Sequence, residues 1–192
     1  AAAECAKLLG VSVPVIAAGL AGLSHVSGRL EHVARARGAD IFVDFAHTPD
    51  GLEKSLSALK CHCGGRLICV FGCGGNRDAM KRPIMGQIAA KIADFCVLTS
   101  DNPRYEDPFD IILQIEKGTR SVSDSYVIVV DRECAIEYAI DMLREGDVLL
   151  VAGKGGENYQ EIMGVRHIYS DVSAIKKVLS RTFAQKDGYN ES

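Results

Sequence analysis

At 192 residues the chain suits one domain with a real core plus a short extra piece. Its 47% apolar and 24% charged residues match an ordinary soluble globular protein, and its formal net charge of -3, with both signs mixed along the chain, lacks the basic stripe of a nucleic-acid binder. No apolar run approaches the roughly 20 residues of a membrane helix, and the opening AAAECAKLLG has no basic segment ahead of an apolar one, so it does not read as a signal peptide.

The first 23 residues read as two short helices, 3–9 and 14–21, with Pro14 in a first turn where its missing N–H costs nothing. Two helices cannot bury both faces alone, so this piece wants a neighbour. Residues 24–29 form a polar link containing Gly28. A strand at 41–45 follows, then a helix at 50–59 with Leu52, Leu56 and Leu59 at helical spacing and Pro49 at its start. Next come a buried strand at 67–71, a helix at 83–93 with Ile84, Ile88 and Ile92 on one face, and a strand at 95–98. A helix at 108–115, a strand at 126–130 and a helix at 134–143 continue the alternation. Gly146 marks a turn before a strand at 148–151, followed by a short strand at 167–169 and a last helix at 172–179. Residues 184–192 read as a polar, frayed tail. Serial strand–helix alternation implies an α/β fold: a Rossmann-like, mostly parallel sheet with helices on both faces, preceded by two short helices.

The seven cysteines include Cys69 and Cys96 inside apolar runs, where free cysteine behaves as a small hydrophobe, a usage that suits the cytoplasm. Cys61-His62-Cys63 has no second ligand pair at zinc-site spacing and reads as a helix end stopped by Gly64-Gly65, so no metal site is expected.

In open parallel sheets ligands bind at the carboxyl ends of strands. Residues 44–50, 72–78, 100–104 and 153–159, all polar or Gly-rich, follow strands, and chain order puts them on one edge. Each has a plain reading as a turn. The run Gly72 to Gly75 is not a dinucleotide fingerprint, because Arg77 stands where a third Gly belongs. Gly153-Lys154-Gly155-Gly156 lacks the spacer and the Ser or Thr of a phosphate loop. Asp101, Glu157, Arg77 and Arg104 offer two carboxylates and two guanidiniums, a set that fits a zwitterion and that a diamino dicarboxylic acid would use in full. The alternative is that these charges pair with one another on a solvated surface.

The ordered set Gly28-Arg29-Leu30-Glu31, then residues 43–50 (VDFAHTPD), then residues 71–78 (FGCGGNRD) with Lys81-Arg82-Pro83, resembles the Mur ligases. Asp101-Asn102-Pro103-Arg104, and Gly153-Lys154-Gly155 with Glu157 and Tyr159-Gln160, resemble motifs of the diaminopimelate-adding branch. The resemblance runs from residue 1 to about residue 181. It implies that Arg77, Asp101, Asn102, Pro103, Arg104, Gly153 and Glu157 bind meso-diaminopimelate, with Arg104 on the carboxylate at the far, D-configured end. It also implies that Arg29, Asp44 and His47 lie near the nucleotide when domains close. The implied division is 1–28 as the tail of a central ATP-binding domain, 29–183 as the C-terminal domain and 184–192 as the tail.

The activity implied is ATP-dependent addition of meso-diaminopimelate to UDP-N-acetylmuramoyl-L-alanyl-D-glutamate in cell-wall precursor synthesis. The phosphate loop, the Mg2+ ligands and a carbamylated lysine belong to a central domain, so ATP, Mg2+ and the UDP-sugar dipeptide would be held mainly outside this chain. No catalytic residue is expected within it, and the chain alone is expected to be inactive. Two departures stand out: Gly156 replaces the usual His, and Phe45 replaces the more usual Tyr. The competing readings are a lysine-adding ligase, a free-standing amino-acid-binding module and a folate-polyglutamate ligase.

Overall fold

A computed structural model describes residues 1–23 and 25–187. Its backbone is a six-stranded sheet in the order β1-β2-β6-β3-β4-β5, with a separate hairpin β7-β8. β1 (Glu31–Ala36) runs antiparallel to β2 (Ala39–Asp44). β2, β6 (Val148–Ala152), β3 (Leu67–Phe71), β4 (Phe95–Leu98) and β5 (Tyr126–Ile128) are mutually parallel. The two innermost strands, LICVF and VLLVA, are buried at every residue, which is why they read as unbroken apolar runs rather than alternating ones.

Alternate residues of these strands feed two cores. Cys69, Phe71, Leu150 and Ala152 meet α3 (Pro49–Lys60), α4 (Lys81–Ile92) and α5 (Pro108–Arg120) on one face. Ile68, Val70, Leu149 and Val151 meet α6 (Arg132–Asp141) and α7 (Asp171–Asp187) on the other. Helix starts follow side-chain chemistry: Thr48, Asp107 and Asp131 each accept a backbone N–H at the N-cap of α3, α5 and α6. The helix-end reading at Cys61 holds too, since Cys61 is the C-cap of α3.

Several elements differ from the sequence expectation. β1 was not anticipated, because EHVARA carries no apolar run; it is a half-covered edge strand returned by a tight turn at Arg37 and Gly38, both at positive φ (53 and 78). A second such turn, Met163-Gly164, joins β7 (Tyr159–Ile162) to β8 (Val165–Ile168), so the expected single strand at 167–169 is one arm of a hairpin. The isoleucine stripe of α4 is not its buried face: Ile84 is exposed, while Arg82, Met85, Gly86 and Ala89 are covered. Close approach decides this, since a Cβ on Gly86 would lie 2.2 Å from the Ile115 carbonyl of α5. α7 continues through Asp187, beyond the expected tail start at Ala184; Ser24 of the polar link and residues 188–192 lie outside the described residues. α1 (Ala2–Leu8) and α2 (Val13–Ala21) bury none of their residues.

Beneath the sheet's carboxyl edge sits Arg132, 1% exposed and paired by two 2.8 Å bonds with Asp171, itself 0% exposed. Burial pulls this guanidinium toward neutrality, and the Asp171 carboxylate outweighs burial, so the net shift is upward. The same guanidinium donates to the carbonyls of Ser100 (3.1 Å) and Ala152 (2.9 Å), tying the ends of β4 and β6 to α6 and α7. Removing one partner strands the other charge in the core. Arg132→Met should therefore lose about 3–5 kcal/mol of unfolding free energy in urea, and Arg132→Met/Asp171→Leu should recover much of it. A loss no larger than that of an exposed ion pair would show that the bolt does not matter.

Candidate functional site

Parallel strands β2, β3, β4 and β6 all end at one edge, so the four polar segments expected there do converge. They enclose a cavity of about 410 Å³ lined by Arg77, Asp101, Asn102, Arg104, Gly153 and Glu157. A second cavity of about 500 Å³ lies beside it and includes Arg29, Asp44 and His47. Phe45, His47 and Thr48 line both and form the partition.

Pro103, expected among the ligand contacts, does not line the cavity. Its carbonyl accepts the Glu106 N–H at 3.0 Å and points at Gly75, where a Cβ would stand 1.9 Å away. Pro103 shapes the backbone that carries its neighbours.

The floor is organised by the lysine inside the Gly153–Gly156 run, which carries no ligand role in the resemblance. Lys154 is 0% exposed. Its ammonium donates to Asn102 Oδ1 at 2.8 Å and to the Tyr159 carbonyl at 2.9 Å, with Glu157 Oε2 at 3.5 Å and Asp101 Oδ1 at 3.8 Å. Asn102 Nδ2 in turn donates to Glu157 Oε2 at 3.0 Å. Both carboxylates of the expected four-charge set are thus already shared with a buried cation. Arg104 likewise faces Glu161, with Nε 3.5 Å from Oε2. Arg77 is exposed and makes no ion pair among the described residues. The group comprises Arg77, Arg104 and Lys154 against Asp101, Glu157 and Glu161, three charges of each sign, so a molecule with no net charge fits it.

Two glycines are required by close approach. Gly153 has φ +118, and a Cβ there would lie 2.6 Å from Asp101 Oδ2. Gly28 has φ +67, and a Cβ would strike the Gly156 nitrogen at 2.1 Å, so the link before β1 rests directly on the 153–156 loop. At Gly156 itself the nearest atom to an added Cβ is Ser27 Oγ at 3.6 Å with no positive φ, so a side chain fits there without strain.

The two loops that close the first cavity are clamped by Arg82, which likewise carries no ligand role in the resemblance. Though 1% exposed, it reaches both oxygens of Glu106 (2.8 and 3.0 Å), the Gly74 carbonyl and Gln114. Glu106 also accepts the Asn76 N–H, and the Arg82 pairing holds its carboxyl below the usual range. Cys73 lines the same cavity, but burial pushes its thiol up to about 12, which leaves no thiolate for nucleophilic work at neutral pH.

In the second cavity the carboxylate of Asp44 is spent on the fold. It accepts the N–H groups of Leu30 (2.7 Å) and Ala46 (2.9 Å) and the Ser55 hydroxyl (2.8 Å). Arg29 lies 4.7 Å over the Phe45 ring, so the ring alone suffices for that contact without a tyrosine hydroxyl. His47 Nδ1 donates to the Phe45 carbonyl at 2.9 Å, which leaves Nε2 for a ligand. Lys81 donates to the His47 carbonyl at 2.7 Å, placing a cation where the two cavities meet. Among the described residues no group of His, Cys, Asp and Glu could hold a metal ion.

Comparison with known proteins gives a consistent set. A family model described as Mur ligase, glutamate ligase domain, matches residues 28–155. A protein of Chlorobium phaeobacteroides named UDP-N-acetylmuramoyl-L-alanyl-D-glutamate--2,6-diaminopimelate ligase is 50% identical over 175 residues, covering 90% of this chain and 34% of that protein. One of the same name from Clostridioides difficile is 45% identical over 174 residues, covering 91% and 36%. A solved structure with that name superposes with a TM-score of 0.78 at 38% identity over 95% of this chain and 37% of that chain. A folylpolyglutamate synthase from Thermotoga maritima shares the fold at TM-score 0.52 and 22% identity, over 74% of this chain and 31% of its own. The chain spans about a third of the length of the curated relatives it matches.

Burial is the largest influence on Lys154 and lowers its proton affinity, despite the nearby Asp101. The unfolded chain therefore holds that proton more tightly than the folded one, so stability rises as pH climbs from the depressed folded value into the ordinary lysine range. Lys154→Met should flatten that part of a stability–pH curve. An unchanged slope would show that Lys154 stays charged throughout.

Proposed function

The chain belongs to the Mur ligase family, and on that footing we propose that it is the amino-acid-accepting C-terminal domain of an ATP-dependent ligase. That ligase adds meso-diaminopimelate to UDP-N-acetylmuramoyl-L-alanyl-D-glutamate. The observation that carries this reading is the convergence of Arg77, Arg104, Asp101 and Glu157 on one cavity. The relatives' printed names agree with it. Lysine lacks the carboxylate that Arg104 would take, which argues against a lysine-adding ligase.

In this reading the domain works by position. Asp101, Asn102, Glu157 and Gly153 hold the ammonium and backbone side of diaminopimelate, and Arg77 and Arg104 hold its carboxylates. The free amine is turned toward the partition at Phe45, His47 and Thr48. There it attacks the acyl phosphate of the glutamate carboxyl group; a C–N bond forms, the C–O bond breaks with phosphate leaving, and the amine gives up one proton to the departing phosphate or to water. Arg29, the Phe45 ring and His47 Nε2 suit the base or sugar of a nucleotide. The run Gly153-Lys154-Gly155-Gly156 does not have the pattern of a phosphate loop. In this reading the phosphates and Mg2+ are held mainly by the rest of the ligase.

Residues 1–28 are assigned to the tail of the central domain and 29–183 to the C-terminal domain. The exposure of Leu8, Val13 and Leu20 on α1 and α2, and of Leu9 at the end of α1, favours this over a free-standing binding module. The nucleotide substrates place the reaction in the cytoplasm. No helix among the described residues is long and apolar enough to cross a membrane.

By calorimetry Arg104→Ala should weaken meso-diaminopimelate binding about 100-fold, because its second carboxylate loses a charge-assisted partner, and should leave L-lysine binding no weaker, because the unmatched guanidinium that opposes lysine is gone. Equal losses for both would sink the reading. Upstream of Ala1 the reading frame should continue for roughly 300 residues and carry a Gly-x-x-x-x-Gly-Lys-Thr or -Ser loop; a nearby start codon without that loop would favour the binding module instead.

A further inference from the structure

Glu161 stands on β7, outside the cavity lining, yet its N–H, its carbonyl and one carboxylate oxygen all face residues of the site. Its N–H donates to Asn102 Oδ1 at 2.9 Å, and its carbonyl accepts the Arg104 N–H at 3.0 Å. Its carboxylate lies 3.5 Å from Arg104 Nε, with the two side chains 20% and 17% exposed. The Met163 N–H donates back to the Arg104 carbonyl at 2.6 Å, and Arg104 bridges Ile162 as an added strand residue. These contacts hold Arg104 at φ 52, a backbone region that a side-chain-bearing residue rarely adopts.

The guanidinium is thus fixed from two sides. Nε faces Glu161, and Nη1 donates to the Gly75 carbonyl at 2.8 Å. Neither contact uses Nη2, whose two hydrogens are left at the end of the guanidinium to donate to a carboxylate. An arginine left free would have to give up rotamer entropy each time it bound a ligand.

We infer that Glu161 is a specificity-determining residue that acts through Arg104, setting the guanidinium so that its Nη2 end meets the second carboxylate of a diamino dicarboxylic acid. This rests on the amino-acid-accepting reading above and deepens it. Asn102, which takes hydrogen bonds from both the Glu161 N–H and Lys154, couples the hairpin to the cavity floor. The choice between amino acids differing by one carboxylate is then supported from a strand that touches no ligand.

Titration calorimetry of the purified chain with meso-diaminopimelate and with L-lysine tests this. Glu161→Ala should weaken diaminopimelate binding about fivefold, the scale of one well-placed, partly covered ion pair, without changing lysine binding. Glu161→Gln, which keeps an oxygen facing Nε but removes the charge, should fall between Glu161→Ala and the wild type. In an Arg104→Ala background, Glu161→Ala should have no further effect. Glu161→Ala losses equal for the two ligands, or undiminished without Arg104, would overturn the inference, because the residue would then only hold the hairpin in place. If the wild-type chain shows no preference for diaminopimelate, the functional reading fails and takes the inference with it. A wild-type preference that Glu161→Ala leaves intact sinks the inference alone.

Discussion

An ammonium group with no exposed surface needs oxygen atoms around it, because an uncompensated charge in a protein interior is too costly to persist. Lys154 meets that need with Asn102, the Tyr159 carbonyl, Glu157 and Asp101. Those partners come from the loop after β4, the loop after β6 and the start of β7. Satisfying one buried cation therefore joins three segments, alongside the hydrogen bonds from Asn102 to Glu157, from Glu161 to Asn102 and from Gln160 to Asp101. The carboxylates a ligand ammonium would approach are held where they are by this requirement.

A second buried cation works one layer below. Arg132 fastens the strand ends at Ser100 and Ala152 to the start of α7 through Asp171. Arg82 does the same for the loop after β3 and the loop around Glu106. The site is thus built on three covered cations, each closing a gap between loops that a parallel sheet leaves open at its carboxyl edge. Rigidity of this kind is what the proposed role, holding an amine in attack geometry, would require.

The partition made by Phe45, His47 and Thr48 relates the two cavities. Asp44 fixes it from behind by joining the link at Leu30 to Ser55 of α3. Gly28 rests on Gly155 and Gly156, so any change of angle at the link bears on the loop that carries Glu157. The two cavities are in this way mechanically linked within one chain.

The strand and helix order was legible in residue periodicity, since a buried parallel strand needs an unbroken apolar run and its crossover helix an apolar stripe. Convergence of the four polar segments followed as well, because right-handed crossovers place every βα turn of a parallel sheet on one edge. Periodicity failed where the signal was not local. β1 has no apolar run, and its turn uses Arg37-Gly38 instead of a familiar hairpin pair. The buried face of α4 was chosen by the room around Gly86 and Gly118 rather than by its isoleucines. Only the tertiary structure decided that Lys154, Arg82 and Arg132 lie inside and that Glu161 faces Arg104. A charge gives no sign in the sequence of which distant oxygen will cover it. That depends on a strand order in which β6 lies between β2 and β3, joining residues far apart along the chain.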